Sequence, residues 1–505
     1  MDLKGALYET WKAHRDNPCL VDEEQRFTFD QLIRRAVAVS RLIARGDQSR
    51  TGHVAIVLPN GELCVTSFLG CLAADRAAVP INYLLSPPEV AFILEHAEAR
   101  VVLTVSAFRP LIEAAREAGH LDIQPAYLDE LLAGFGEQQI QAAISMADPA
   151  ALNSGQDDPQ RTACLIYTSG TTGVAKGVVL THGNLLANCR SMREVLDVHA
   201  SDVFLTVLPL FHSFGLSTAL LLPMISGSSM ILLKRFQPAT VIDIIEREKV
   251  TVLLMVPPMF ALMMRAGARD PSRLATVRIA ISGGGPLPPA LGEAFGKRMG
   301  FPLLQGYGLT EAAPVVAANV PGACRPTSVG RPVPGVRVEI RGDDGQVLPP
   351  GQTGDICVAG ENVMAGYYRN PEATAQTLDG QGWLRTGDTG YLDGDGFLYV
   401  TGRKKDMIIL AGEKIFPQEI EHVLLSHPAV AEVAVVGVND PLRGEMPKAF
   451  LVLHEGATFD EKEMRYWCAE RMAGFKIPRE FEVLKELPKN TLGKVLKREL
   501  ANRTG

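Results

Sequence analysis

Short apolar runs alternate with helix-patterned segments over about the first 400 residues, and no other feature restricts the fold as much. HVAIVLP (53–59), RVVLTV (100–105), ACLIYTSG (163–170), SMILL (229–233), VTVLLMVP (250–257) and VRIAISGG (277–284) have the length and apolar density of buried strands. Between them, ELCVTSFLGCLAAD and PATVIDIIEREK carry helical patterns. Repeated strand–helix alternation predicts an α/β core with parallel sheets. A chain of 505 residues exceeds what one hydrophobic core supports, so more than one domain is expected.

After about residue 327 the texture changes. SVGRPVPGVRVEIR, VLPPGQTGDICVAG and WLRTGDTGYLDGDGFLYVTGR place Gly, Pro and Asp turns between short strands, which predicts a β-rich subdomain. GRKKDMIILAGEKIFPQEIEHVLLSH then leads from charged residues through a short strand into a helix with Pro417 in its first turn. The tail predicts a small α+β unit: AEVAVVGV, AFLVLHEG, a helix from Thr458 with Glu461 placed for a capping box, and EFEVLKELP. The expected division is a large domain over 1–401, a hinge at 402–406 and a small domain over 407–505.

From Val203 to Leu233 the chain carries no Asp, Glu, Lys or Arg, enough length to cross a bilayer. Pro209, Gly215, Pro223, Gly227 and His212 interrupt it, so a buried strand, helix and strand is the better expectation. Composition is that of a soluble globular protein, 47% hydrophobic and 21% charged, and the net charge of −7 argues against a general nucleic-acid binder. Eight scattered cysteines without CxxC or zinc spacing suit a reducing compartment, each as a small buried apolar residue. The N-terminal MDLKGALYETWKAHRDNP lacks the apolar core of a signal peptide. A cytoplasmic protein without a membrane span is expected; transient membrane contact and the oligomeric state stay open.

YTSGTTGVAKG (167–177) follows one of the buried strands and leads into another apolar run. Thr168, Ser169, Thr171 and Thr172 offer hydroxyl donors, Gly170 and Gly173 let backbone amides approach an anion, and Lys176 adds a cation. This predicts a phosphate-holding loop. It is not the GxxxxGK[ST] loop: Lys176 is followed by Gly177, which has no hydroxyl for magnesium.

YTSGTTGVAKG resembles the signature loop of the adenylate-forming superfamily, which includes acyl-CoA synthetases, peptide-synthetase adenylation domains and beetle luciferases. It departs where Ala175 stands in place of a usual proline, a change of loop stiffness rather than of ligands. Four further segments resemble that family's motifs in the same order: GYGLTEAAP (306–314), WLRTGD (383–388), GRKKDMIILAGEKIFPQEIE (402–421) and PKNTLGKVLKREL (488–500).

The resemblance implies an ATP-dependent ligase that joins a carboxylic acid to AMP, releases pyrophosphate, and passes the acyl group to coenzyme A. The loop from Thr168 to Lys176 would cradle the departing phosphates. Glu311 would bind Mg2+, and Thr310 would contact the α-phosphate. Tyr307, between Gly306 and Gly308, would face adenine; Asp388 and Arg403 would hold the ribose. Lys494 would bridge the substrate carboxylate and α-phosphate, a task for a mobile ammonium. Lys405 would sit at the hinge, and Gly412 and Glu413 beside the coenzyme A tunnel. A degenerate nucleotide-binding module is disfavoured because Lys494, Glu311 and Asp388 are all present.

LPLFHSFGLSTALLLP (208–223) resembles the family's acyl-pocket segment. His212 follows Phe211 where amino-acid-selecting relatives carry Asp, so an ammonium would lack its counter-charge. Gly283, Gly284 and Gly285 would form a pocket wall whose missing side chains leave volume. Only Arg265 or Arg278 is at hand for a second carboxylate. A medium- or long-chain fatty acid is expected, with an aryl acid of the benzoate or cinnamate type as the alternative. The chain ends 11 residues after Lys494, without a fused carrier domain, so free coenzyme A is the expected acceptor and a separate carrier protein the alternative.

Overall fold

The computed structural model describes residues 1–23, 25–46, 52–135, 137–153, 157–169, 175–266, 271–410, 413–440, 444–489 and 495–503. Two large sheets carry the N-terminal part. One has seven strands in the order Gly366–Tyr367, Ala175–Thr181, Thr162–Ser169, Ala78–Pro80, Val54–Val57, Val101–Thr104, Gln124–Tyr127. The other has nine: Arg331–Pro332, Val315–Ala318, Leu304–Gly308, Ile279–Ser282, Val252–Met255, Val203–Thr206, Ser229–Leu232, Pro18–Asp22, Gln25–Thr28. Their interiors are parallel, as the apolar runs predict, but both edges of the nine-stranded sheet and the Gly366–Tyr367 edge of the seven-stranded sheet are antiparallel. The sheets are therefore mixed, because short reversals such as Gly308 to Val315 and Ser169 to Ala175 return the chain without a crossover helix.

Each of the six apolar runs forms a strand, up to four residues shorter than the run, and that of ACLIYTSG starts one residue earlier, at Thr162. The helices span Glu62–Ala73 and Pro238–Glu248. The charge-free stretch folds as strand Val203–Thr206, a wholly buried helix Gly215–Ser226 that begins as a π-turn, and strand Ser229–Leu232. Its two strands pair in parallel, Val203 opposite Ser229. Among the described residues no helix is long and apolar enough to cross a membrane.

Beyond residue 327 a four-stranded antiparallel sheet follows: Val336–Arg341, Gly354–Gly360, Leu384–Leu392, Leu398–Arg403. The small C-terminal domain has a five-stranded sheet of Glu413–Ile415, Ile408–Leu410, Gly444–Leu453, Val430–Asp440 and Glu480–Val483, with its own buried core around Ile420, Val435 and Leu451. Its helix Pro417–Leu425 starts on Pro417 as expected. The helix expected from Thr458 instead spans Glu461–Ala469. The Asp460 carboxylate accepts from the Lys462 and Glu463 amides, so it is the cap, and Glu461 is the first helical residue rather than the third. All eight cysteines are free thiols, and seven are buried; Cys324 is only half-buried, against expectation.

Candidate active site

The candidate residues collect where parallel strands end, the usual place for a crevice in an α/β sheet. In the nine-stranded sheet, Val203–Thr206 runs toward His212, Ile279–Ser282 ends at Gly283, and Leu304–Gly308 ends at Thr310 and Glu311. The reversal after Gly308 requires glycine. A Cβ there would lie 2.2 Å from the Pro314 carbonyl oxygen, which accepts from the Leu309 amide at 3.0 Å. This tight return sets Thr310 and Glu311 at the strand end.

Tyr307 and Arg403 both contact Asp388. The Tyr307 hydroxyl donates to Asp388 Oδ2 at 2.6 Å, and Arg403 Nε lies 3.2 Å from Oδ1. Asp388 and Arg403 are opposite partners across two antiparallel strands, which fixes the pair through the backbone. Asp388 is buried, and burial followed by the Asp388 charge holds the Tyr307 phenol well above its usual pKa. Thr386, Gly387, Asp388, Arg403, Lys404 and Lys405 line a cavity of about 370 Å³. A fixed carboxylate beside a guanidinium and an aromatic ring is chemistry for a polyol on a flat base.

Thr168 pairs with Lys176, and Ser169 with Ala175, across the antiparallel hairpin that carries the phosphate-loop sequence. Gly170, Thr171, Thr172 and Gly173 lie outside the described residues, and Ser169 is described by its backbone alone. Lys176 Nζ stands 5.0 Å from the centre of the Tyr367 ring, whose hydroxyl donates to Glu311 Oε1 at 2.9 Å. Thr310 Oγ1 and Ser213 Oγ are 3.1 Å apart. Below the loop, Tyr167 Oη and His96 Nδ1 are 2.8 Å apart. Tyr367, Ser213 and His96 were not singled out in the sequence. Each meets its partner across at least 71 residues except Tyr367, which reaches Glu311 across 56.

His212 packs against Phe211, ring centres 4.6 Å apart, and Phe211 meets Tyr83, which stacks on Phe108 at 4.9 Å. Burial lowers the His212 pKa to about 4, with no charged neighbour contributing among the described residues, and its Nε2 has no partner there. The glycine wall differs from expectation. A Cβ on Gly283 would lie 2.7 Å from Phe214 Cζ, so a ring already fills that volume; only Gly285 faces open space, while Gly284, at φ +76°, abuts Val256. Arg278 is tied to Asp202 at 2.5 Å and to the Leu196 and Asp197 carbonyls, so it does not serve a second substrate carboxylate. Arg265 ends an exposed helical turn.

Lys405 occupies the short turn Lys404–Asp406 between strands Leu398–Arg403 and Ile408–Leu410. Gly412 and Lys494 lie outside the described residues, and Glu413 is described only as the first residue of strand Glu413–Ile415. Lys489 and Val495, flanking the Lys494 segment, pair in antiparallel fashion. Lys489 binds Glu432 at 2.7 Å, and Lys497 binds Glu421 at 2.6 Å.

The pattern of the AMP-binding enzyme family matches residues 7–368, and that of the AMP-binding enzyme C-terminal domain matches residues 419–494. The chain is 37% identical to a sulfoacetate–CoA ligase of Cupriavidus necator, over 96% of this chain and 95% of that protein. It is 33% identical to a long-chain-fatty-acid–CoA ligase of Bacillus subtilis, over 99% and 94%. The o-succinylbenzoate coenzyme A synthetase of Bacillus subtilis, solved with ATP and a magnesium ion, superposes with a TM-score of 0.84 at 35% identity, covering 98% of each chain. The chain thus belongs to the adenylate-forming superfamily of AMP-binding enzymes and is an ATP-dependent, AMP-forming acyl-CoA synthetase.

Proposed function

We propose that the enzyme activates a medium- or long-chain fatty acid and delivers it to free coenzyme A in the cytoplasm. One observation carries the choice of acid: His212 is kept neutral by burial beside the Phe211 ring, with no charged neighbour among the described residues. An ammonium or second carboxylate would lose its hydration there without a partner. An alkyl tail loses nothing and gains about 0.8 kcal/mol for each buried methylene.

In this reading, one carboxylate oxygen attacks the α-phosphorus of ATP and the bond to the β-phosphate oxygen breaks, releasing pyrophosphate. Asp388 and Arg403 hold the ribose, Tyr307 faces the adenine, and the Thr168–Lys176 loop and Thr310 bind phosphate oxygens. Glu311 suits Mg2+, because it is a hard oxygen donor and only Oε1 is engaged by Tyr367. When bound there, the metal would supply charge neutralisation at the phosphates. Lys494, in the segment that resembles the family's catalytic-lysine motif, bridges the two reacting anions. A swing about Lys405 then presents Gly412 and Glu413 to the thiol, whose sulfur takes the acyl carbon as AMP leaves and its proton passes to solvent. The free thiols at all eight cysteines fit a reducing compartment.

A second reading, an aryl acid, is favoured by the Phe214 ring against Gly283, which makes a flat wall. Pyrophosphate release and thioester formation across acids from acetate to palmitate, with benzoates, cinnamates and amino acids, separates the two. Turnover rising with chain length supports the fatty acid. A maximum on cinnamate or benzoate replaces it with the aryl acid, and thioester formed only on a carrier protein removes coenzyme A.

A further inference from the structure

We propose that Tyr367 is a positioning residue that keeps the Lys176 ammonium and the Glu311 carboxylate within one site without letting them pair. The assignment rests on the family's nucleotide chemistry but not on which acid is used.

Tyr367 is built into the site from both sides. Its two-residue strand is the edge of the seven-stranded sheet and pairs with Ala175–Thr181, Gly366 opposite Val179 and Tyr367 opposite Val178, two positions from Lys176. The Tyr368 amide donates to the Gly177 carbonyl at 2.7 Å, and the Met364 amide donates to the Glu311 carbonyl at 2.9 Å. The Tyr367 amide donates to Thr374 Oγ1 at 2.9 Å, inside the helix Pro371–Thr377 that Asn370 caps. The segment therefore carries a fixed ring rather than a loose one.

That ring divides its two faces of chemistry between opposite charges. Its π-face lies under the Lys176 ammonium at 5.0 Å, and its hydroxyl donates to Glu311 Oε1 at 2.9 Å. The phenolic O–H is the donor in that bond and the carboxylate the acceptor. No ion pair joins Lys176 and Glu311 among the described residues. In a partly desolvated cleft such charges attract strongly, and direct pairing would neutralise the groups meant for phosphate and metal. A cation–π contact holds the ammonium more weakly, so a phosphate oxygen can take it over.

Calorimetric titration of ATP, with and without saturating Mg2+ and without acid or coenzyme A, tests this on the full chain. Tyr367→Phe keeps the ring and loses the hydroxyl; ATP affinity without Mg2+ should hold, while the gain from Mg2+ should shrink by about 5-fold. Tyr367→Leu frees the lysine to pair with Glu311, so affinity without Mg2+ should also fall. Adding Glu311→Gln to Tyr367→Leu should then restore the Mg2+-free affinity, a rescue that simple loss of packing would not give. A Tyr367→Phe variant with the parent's Mg2+ gain, or a Leu variant that Glu311→Gln does not rescue, overturns the proposal. A wrong choice of acid would leave every one of these titrations unchanged, so the two failures are told apart.

Discussion

Tyr307 and Asp388, 81 residues apart in sequence, share a 2.6 Å hydrogen bond in which the phenol donates and the buried carboxylate accepts. The bond fixes the carboxylate where it lines the cavity, and in the proposed reading the same ring faces the adenine. Tyr307→Phe keeps the face and removes the donor. AMP affinity by calorimetry should drop by at least about 10-fold, the worth of one hydrogen bond to a charged group. Asp388→Ala should cost more, since it removes the carboxylate itself. Equal affinity in Tyr307→Phe and parent would remove the carboxylate from nucleotide binding.

Gly308→Ala addresses the turn that sets Thr310 and Glu311. Its Cβ would fall 2.2 Å from the Pro314 carbonyl oxygen, a backbone atom that cannot rotate away. The strand end must shift, so adenylate formation should fall by about two orders of magnitude with KM for the acid little changed, as in loss of transition-state contacts. Pyrophosphate exchange kinetics measure it. A near-parent rate would show that the turn does not govern the geometry.

Much of this architecture was legible in the sequence because burial on both sheet faces leaves a one-dimensional trace. A strand such as Val252–Met255 has to be apolar at every position, and the charge-free stretch Val203–Leu233 reads directly as strand, helix, strand. The partners Asp388 and Arg403 were legible as motif residues, and the antiparallel register brings them together. Ser213, Tyr367 and His96 were not, since each acts through a contact set by tertiary packing that no periodicity encodes. The volume beside Gly283 was misjudged for the same reason: the ring that fills it belongs to Phe214, 69 positions earlier.

His182 and His212 set an acid limit on stability. Burial lowers both pKa values to about 4, and His182 Nδ1 and His212 Nε2 have no partner among the described residues. Above about pH 6.5 both imidazoles are neutral in folded and unfolded chains and contribute nothing. Between pH 6.5 and 4 the unfolded chain binds protons that the folded chain does not, so stability falls with pH, by roughly 2 kcal/mol per histidine at pH 5. Urea denaturation of parent and His182→Asn at pH 7.5 and 5.0 should show a smaller acid loss in the variant. An identical loss would place the acid sensitivity elsewhere.

Phe214 and Gly283 should trade space. Phe214→Ala vacates the volume beside the glycine and should shift the preference toward bulkier acids. Gly283→Ala pushes into the ring, 2.7 Å from Phe214 Cζ, and should lower kcat/KM for bulky acids more than for short ones. Competition between paired acids reads the ratio directly. Unchanged ratios in both variants would move the acyl pocket away from this wall.

Lys494 carries the sharpest test of the chemistry. Its neighbours Lys489 and Lys497 are each held by a glutamate, Glu432 and Glu421, so neither is a ready substitute for an ammonium that must reach the α-phosphate. Lys494→Ala should lower adenylate formation by at least about 100-fold, the scale of removing one preorganised charge from a transition state. ATP affinity should stay near that of the parent, because the lysine acts where two anions meet rather than on the nucleotide alone. Thioester formation from a synthetic acyl adenylate and coenzyme A should persist, since that step needs no positive charge between carboxylate and phosphate. Single-turnover assays of the two half-reactions separate these effects. Equal loss in both halves would make Lys494 a structural residue of the small domain, and a variant that adenylates at the parent rate would remove it from the reaction.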